Sequence, residues 1–367
     1  MKYYVICGER SGDLHASKLI KALSLKDDQA QFRGIGGDLC EKSGLKLYAH
    51  YKHVAVMGAL EVFVKLITIF KRIADTKKDI LAYQPDVIIL VDFGGFNMKI
   101  AQFAKANNIK VFYYIPPKVW AWNTGRAHKL KAWVDRMYVI LPFEKSFFKK
   151  YDCDVDYVGN PLKDNIDAFV PDEIFIEKLK ARQKPVIAVL PGSRKQEVVQ
   201  MLDVMLQLAP KYAQYQWVVA GVDNLPAGLY LTARERGIEI VYNKTYELLT
   251  VAEAALVTSG TATLETALFR VPQIVCYKTS AITYFLAKLV VKVPFISLVN
   301  LIAEKEIVKE KIQSDFNVKD LEAELNQLLY NSAYRNNMLQ EYDQLIALVG
   351  DAGVSEKTAD LMWKRLG

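Results

Sequence analysis

Cysteine and histidine are both scarce, four of each in 367 residues. Cys7, Cys40, Cys153 and Cys276 lie far apart, so there is no CxxC pair, and the histidines form no HExxH-like pattern. Zinc and dithiol redox chemistry of the familiar kinds are therefore not indicated, and a reducing compartment is. Cys7 and Cys276 fall inside apolar runs and read as small core hydrophobes. No apolar run reaches the roughly 18–20 residues of a membrane-spanning helix. No basic segment with an apolar stretch and cleavage site precedes the first strand pattern, Tyr3-Tyr4-Val5-Ile6-Cys7. The expectation is a cytoplasmic protein, with contact to a membrane surface left open. A dense Lys/Arg run is also missing. The 48 basic against 41 acidic residues, a net +7, suit an anionic partner, and their scatter argues against nucleic acid.

Apolar residues make up 51% and charged residues 24% of the chain, the balance of a folded globular protein, and the length suits two domains. Short apolar strands without polar alternation, at 2–7, 31–35, 87–91 and 110–115, are separated by helical stretches at 14–25, 58–82 and 97–107. The plan repeats with strands at 186–190, 217–220, 238–242, 254–257 and 274–277 and helices at 195–208 and 261–269; residues 320–367 read as helical. Such strands belong to parallel sheets covered on both faces. The expected fold is α/β, two doubly wound Rossmann-like domains facing a cleft, with a boundary near 160–184.

Three turns place glycine and hydroxyl residues where a helix begins, a position rich in unpaired N–H groups and suited to anions. In Pro191-Gly192-Ser193-Arg194, Gly192 permits close approach of a ligand, Ser193 caps or donates, and Arg194 offers a planar fork to a diphosphate. An ordinary cap with a solvated Arg194 accounts for the same residues. In Ser259-Gly260-Thr261-Ala262-Thr263-Leu264-Glu265, Glu265 is spaced either to accept from both hydroxyls of a ribose or to close a capping box. Gly8-Glu9-Arg10-Ser11-Gly12-Asp13 is a tight turn that lacks the GxGxxG dinucleotide pattern.

Asp92 directly follows the strand Val87–Val91 and is a candidate general base, or a turn cap. Asp152-x-Asp154-x-Asp156 lacks the glycine and glutamate of a calcium loop and reads as a solvated turn. Trp120 and Trp122, two apart, would share a face on a strand, as core or as a sugar-stacking pair. Residues 56–73 are apolar nearly all round a helix, with Lys65, Lys71 and Arg72 among them, and 282–302 is similar. Each is either buried core or a peripheral docking element for anionic lipid.

Taken in order, Gly8-Glu9-Arg10-Ser11-Gly12-Asp13, Val56-Met57-Gly58, Asp92 with Phe96-Asn97, Val119-Trp120-Ala121-Trp122, Leu141-Pro142-Phe143-Glu144, Leu190 to Arg194, Ser259 to Glu265 and Asn300-Leu301-Ile302 resemble the lipid-A-disaccharide synthases. The resemblance spans nearly the whole chain. It implies a GT-B fold needing neither metal nor cofactor, with an N-terminal acceptor domain over 1–165, a C-terminal helix at 340–367 packing back on it, and a UDP-sugar domain over 166–339. It implies inverting transfer of 2,3-diacylglucosamine from UDP-2,3-diacylglucosamine to 2,3-diacylglucosamine 1-phosphate (lipid X) in lipid A biosynthesis, at the inner face of the inner membrane. Asp92 is then the base and Arg194, with Gly192 and Ser193, the group that stabilises the departing diphosphate. Glu265 holds the ribose, and Ser259, Gly260, Thr261, Thr263, Asn300, Glu310 and Gln313 line the UDP-sugar side. Glu9, Ser11, Gly12, Asp13 and Asn97 contact substrate on the acceptor side. The chain departs from the family at Gly95, where many members carry a second aspartate, at Arg10 and at Val299. A UDP-sugar 2-epimerase of the same fold and a non-catalytic sugar-nucleotide-binding protein are the rival readings.

Overall fold

The computed structural model describes residues 1–53, 62–291 and 293–367, the side chains of 62–67 excepted. It divides into two compact units, Met1–Asp164 with Asp351–Gly367, and Asn165–Gly350. In the first unit the strands are β1 (Lys2–Cys7), β2 (Gln31–Gly36), β3 (Leu45–His50), β4 (Val87–Val91), β5 (Lys110–Tyr114), β6 (Arg136–Val139) and β7 (Asp156–Tyr157). Among the described residues they form one sheet in the order β3-β2-β1-β4-β5-β6-β7, with every pairing parallel. The second unit holds β8 (Val186–Leu190), β9 (Gln216–Gly221), β10 (Glu239–Tyr242), β11 (Ala252–Thr258), β12 (Gln273–Tyr277) and β13 (Glu310–Ile312) in the order β10-β9-β8-β11-β12-β13, again all parallel.

The central strands are apolar without alternation because helices cover both faces of each sheet: β4, β8 and β9 are buried at every residue. One face of the first sheet packs Tyr4, Ile6, Ile88, Leu90 and Tyr113 against Ile80, Ile100 and Leu130. The other packs Tyr3, Val5, Val87, Ile89 and Tyr114 against Leu19, Leu23 and the C-terminal segment residues Val354, Ala359 and Met362.

The chain returns to the first unit only after Gly350. The helix Ser332–Val349 therefore belongs to the second unit, and only Val354–Leu366 packs on the first, a later crossing than the expected 340. Asp164 holds the returning segment by accepting from the Gly353 and Val354 N–H groups at 2.8 and 3.2 Å. Two further differences concern local structure. Trp120 and Trp122 lie on a short helix, Val119–Trp122, not a strand, so they do not share a face: Trp120 is buried and Trp122 is 43% exposed. Asp154 and Asp156 both grip Arg136 at 2.6 Å, which gives the triple-aspartate segment a structural partner. The Val56-Met57-Gly58 motif and the start of the apolar 56–73 segment lie outside the described residues.

Met362 is fully buried in the first unit's core. Met362→Ala is expected to destabilise that unit by about 2–5 kcal/mol. Chemical denaturation followed by intrinsic fluorescence checks this; an unchanged unfolding transition would show that the C-terminal helix is not part of that core.

Candidate active-site turns

In a doubly wound sheet the order reverses once, and the loops leaving the strands on either side of that reversal diverge, opening a crevice at the carboxyl ends. In the first unit the reversal falls between β1 and β4, whose last residues, Cys7 and Val91, are paired. The turns that follow are Gly8–Asp13 and Asp92–Asn97. In the second unit it falls between β8 and β11, where Leu190 pairs with Val257, and the turns that follow are Pro191–Arg194 and Ser259–Glu265. All four sequence-selected turns thus sit at the two reversal points. A depression of about 370 Å³ lined by Arg182, Lys184 and Trp217 lies instead at the amino ends of β8 and β9.

Asp92 and Phe93 both adopt left-handed backbone conformations, φ 50° and 53°. Each such residue costs on the order of 1–3 kcal/mol and persists only where the surroundings hold it. Here the Asp92 carbonyl accepts from Asn97 Nδ2 at 2.8 Å and from the Tyr113 hydroxyl at 2.7 Å. Gly8 completes the arrangement, because a Cβ there would lie 2.1 Å from the Phe93 ring. Burial raises the Asp92 carboxyl above the usual carboxylate range, against the Phe93 N–H and Lys118, which pull it down.

Several residues expected to touch substrate are buried and bonded to the chain itself. Asn97, fully buried, acts on the Asp92 peptide. Asp13, 3% exposed, accepts from the N–H groups of Gly37, Leu39 and Cys40 and so fixes the start of the next helix; Gly12 beside it is buried. Glu9 and Ser11 are exposed at the turn.

At the Pro191–Arg194 turn, the N–H groups of Ser193 and Arg194 donate to Glu197 Oε2 at 2.9 and 3.1 Å. The helix start thus already holds a carboxylate. Gly192, at φ 109°, is needed because a Cβ would lie 2.5 Å from that same oxygen. Arg194 touches Glu197 Oε1 at 3.1 Å, yet its side chain is 79% exposed, which makes the guanidinium the part of this turn open to an anion.

At the Ser259–Glu265 turn the three hydroxyls separate. Ser259 donates to the Ile296 carbonyl and Thr263 to the Gly260 carbonyl, while Thr261 and Gly260 are exposed. Glu265 closes no capping box: the Tyr246 hydroxyl donates to it at 2.8 Å, and burial raises its carboxyl above the usual range against that bond. Asn300, Glu310 and Gln313 are engaged with the chain itself. Asn300 is fully buried and accepts from Ile307 and Val308 N–H groups. Glu310 accepts from Ile296 N, Ser297 N and the Ser297 hydroxyl, and Gln313 brackets Thr279 through both its amide atoms. Together with Ser259 they brace both ends of the 279–297 excursion.

Sequence reasoning missed Tyr113 and Tyr246, and held Glu144 only as the last residue of the Leu141-Pro142-Phe143-Glu144 motif, without a role. Tyr113 and Tyr246 reach their partners from distant positions and carry no local signal. Glu144 is 2% exposed and accepts from Trp120 Nε1 at 3.0 Å and from the Ile140 and Leu141 N–H groups. Burial pushes its carboxyl up to about 7 from the ordinary 4.5. The folded state therefore keeps a proton that the unfolded chain has already lost. The stabilisation is complete below pH about 4.5 and is lost as pH rises through about 7. Glu144→Gln is expected to lack that slope, so that the difference between the variant's and the parent's urea-unfolding free energies changes across the window; parallel pH profiles would contradict it.

The lipid-A-disaccharide synthetase family model matches residues 3–360. The lipid-A-disaccharide synthase of Syntrophus aciditrophicus is 36% identical over 97% of this chain and 95% of its own length. That of Geobacter metallireducens is 33% identical over 99% and 97%. Among solved structures, the UDP-GlcNAc 2-epimerase of Neisseria meningitidis bound to UDP-GlcNAc aligns at TM-score 0.70 and 13% identity over 99% of this chain and 100% of that one. The calicheamicin glycosyltransferase CalG4 aligns at 0.63 and 14% over 100% and 98%. At such identities the structures share the fold alone, two Rossmann-like domains of the GT-B kind, whereas the family match and the full-length relatives go further: the chain belongs to the lipid-A-disaccharide synthetase family.

Proposed function

We propose that the chain transfers 2,3-diacylglucosamine from UDP-2,3-diacylglucosamine to O6 of 2,3-diacylglucosamine 1-phosphate (lipid X), with Asp92 as the base. Family membership makes it a glycosyltransferase that forms the lipid A disaccharide from a UDP-sugar donor. The finer reading is supported by one observation above all: the reversal point of the first unit carries a partly buried, strained carboxylate and that of the second carries an exposed guanidinium.

The acceptor O6 attacks C1 of the donor sugar from the face opposite the diphosphate, the C1–O bond breaks, and configuration inverts to β. The O6 proton passes to Asp92, whose burial makes it a stronger base than an exposed aspartate. Arg194 meets the charge that accumulates on the leaving UDP. Glu265, with Tyr246 on one oxygen, accepts from the ribose hydroxyls, and the exposed Thr261 and Gly260 border the same ligand. Gly192, Ser193, Ser259, Thr263, Asn300, Glu310 and Gln313 shape this side through the contacts described. Glu9 and Ser11 border the acceptor.

Asp92→Ala is expected to lower disaccharide formation by at least a thousandfold while UDP-sugar binding, read by calorimetry, stays within a fewfold. Unchanged turnover contradicts the base assignment. An epimerase would release or isomerise UDP-sugar without a lipid acceptor, whereas UDP release that depends on lipid X supports transfer.

Peripheral docking to an anionic membrane belongs to the same reading. The helix Ala281–Val290 has no buried residue, and Ile282, Phe285 and Leu289 are 75%, 64% and 68% exposed. Lys278 and Lys288 stand beside them, Lys288 over the Tyr284 ring at 5.0 Å. Apolar surface of this kind gains roughly 25 cal/mol per Å² on leaving water, and basic neighbours add attraction to anionic headgroups. On the helix Val62–Tyr83, Phe70 is likewise 58% exposed beside Lys71 and Arg72, while the side chains of Val64 and Leu66 lie outside the described residues. Among the described residues no helix is long and apolar enough to cross a membrane. Replacing Ile282, Phe285 and Leu289 together by Ser is expected to weaken binding to phosphatidylglycerol-containing vesicles at least tenfold, in a flotation assay, with an unchanged melting temperature. Unaltered vesicle binding, or loss of the fold, contradicts a lipid-facing role.

A further inference from the structure

The segment that leaves β5 passes directly beside the Asp92 turn. A Cβ at Gly94 would lie 3.0 Å from Pro117, so the two turns are in contact. Trp120, bonded to the buried Glu144, anchors the short helix Val119–Trp122. Two cations project from this anchored stretch. Lys118 is exposed and acts electrostatically on both Asp92 and Glu144. Arg126 stacks over the half-exposed Trp122, its guanidinium carbon 4.6 Å from the ring centroid. Among the described residues neither cation has a carboxylate partner within ion-pairing distance, although many other basic residues of this chain do.

The position of Lys118 is costly for the reaction as it stands. A cation beside a base stabilises the base's charged form and makes it a poorer proton acceptor. The arrangement works without penalty only if an anion arrives with the substrate and takes up that charge. The two substrates differ in this respect. The donor's phosphates are both esterified, in a diphosphate, while the acceptor carries a phosphate monoester dianion on its anomeric carbon.

We propose that Lys118 and Arg126 form the subsite for the anomeric phosphate monoester of the acceptor sugar, and so select the acceptor over its unphosphorylated counterpart. This rests on the reading of Asp92 as the base for that acceptor. Lys118 is the point charge and Arg126, pre-oriented on Trp122, the planar fork. Occupation also frees the base: phosphate on Lys118 cancels the charge that holds Asp92 down, so acceptor binding strengthens the group that deprotonates it.

The test compares lipid X with unphosphorylated 2,3-diacylglucosamine in the same mixed micelles, using the full chain, Lys118→Met, Arg126→Gln and Lys118→Arg. The unaltered enzyme is expected to favour lipid X. Lys118→Met and Arg126→Gln should each raise KM for lipid X about tenfold, leave KM for the UDP-sugar unchanged and shrink the preference between acceptors; Lys118→Arg should restore most of it. A preference that survives both substitutions overturns the subsite. Lipid X binding to Asp92→Ala, read by Trp122 fluorescence, needs no turnover and so separates this proposal from the base assignment. Binding that Lys118→Met weakens supports the subsite even if Asp92 is not the base, and binding that it leaves unchanged overturns the subsite.

Discussion

Both sheets are parallel and open, with helices on both faces, and right-handed crossovers can cover both faces only if the strand order reverses; that reversal fixes where a ligand can meet the backbone. The crossover segments leaving β1 and β4, and those leaving β8 and β11, depart in opposite directions, and Glu9, Gly95, Ser193 and Gly260 near their starts are exposed. The base, the diphosphate-binding turn and the ribose carboxylate of the proposed chemistry all come from those four exits. Helices cover the faces of the sheets, so a polar side chain along the strands would be buried at a cost; at the exits it can be used.

The two units present different groups at these exits. In the first, the strained Asp92 peptide is held by Asn97 and Tyr113, and the Phe93 ring closes over Gly8. This aims a half-buried carboxylate that desolvation keeps basic. In the second, Glu197 takes up the N–H groups of the helix start and touches the Arg194 guanidinium, which stays largely exposed. A base benefits from partial burial, whereas a group that must follow charge onto a departing diphosphate benefits from mobility and reach. The apolar excursion 279–297 is joined to the second of these exits through Ser259, Glu310 and Gln313. The exposed apolar helix and the Ser259–Glu265 turn thereby share their supports.

The central strands were legible in the sequence because burial on both faces leaves no polar residue in them; β1, β4 and β8 coincide with the apolar runs. The edge strands β3, β7 and β13, partly exposed and mixed in composition, were not, nor was the four-residue inner strand β6. The turns were legible as turns, but the direction of each side chain was not. Asp13, Asn97, Thr263 and Asn300 have the residue types of ligand contacts, and each makes hydrogen bonds to backbone. Asp92, Arg194, Glu265 and Thr261 look no different in the sequence, and the structure leaves them partly or largely open. What separates the two groups is long-range packing, which local spacing does not encode.

The most direct measurement is the product itself. UDP-2,3-diacylglucosamine labelled at C1 and lipid X, incubated with the purified chain, are predicted to give UDP and one disaccharide 1-phosphate, its mass read by mass spectrometry and a β-1,6 linkage by NMR. A labelled sugar that is epimerised at C2, retained in α configuration or never joined to lipid X would contradict the account.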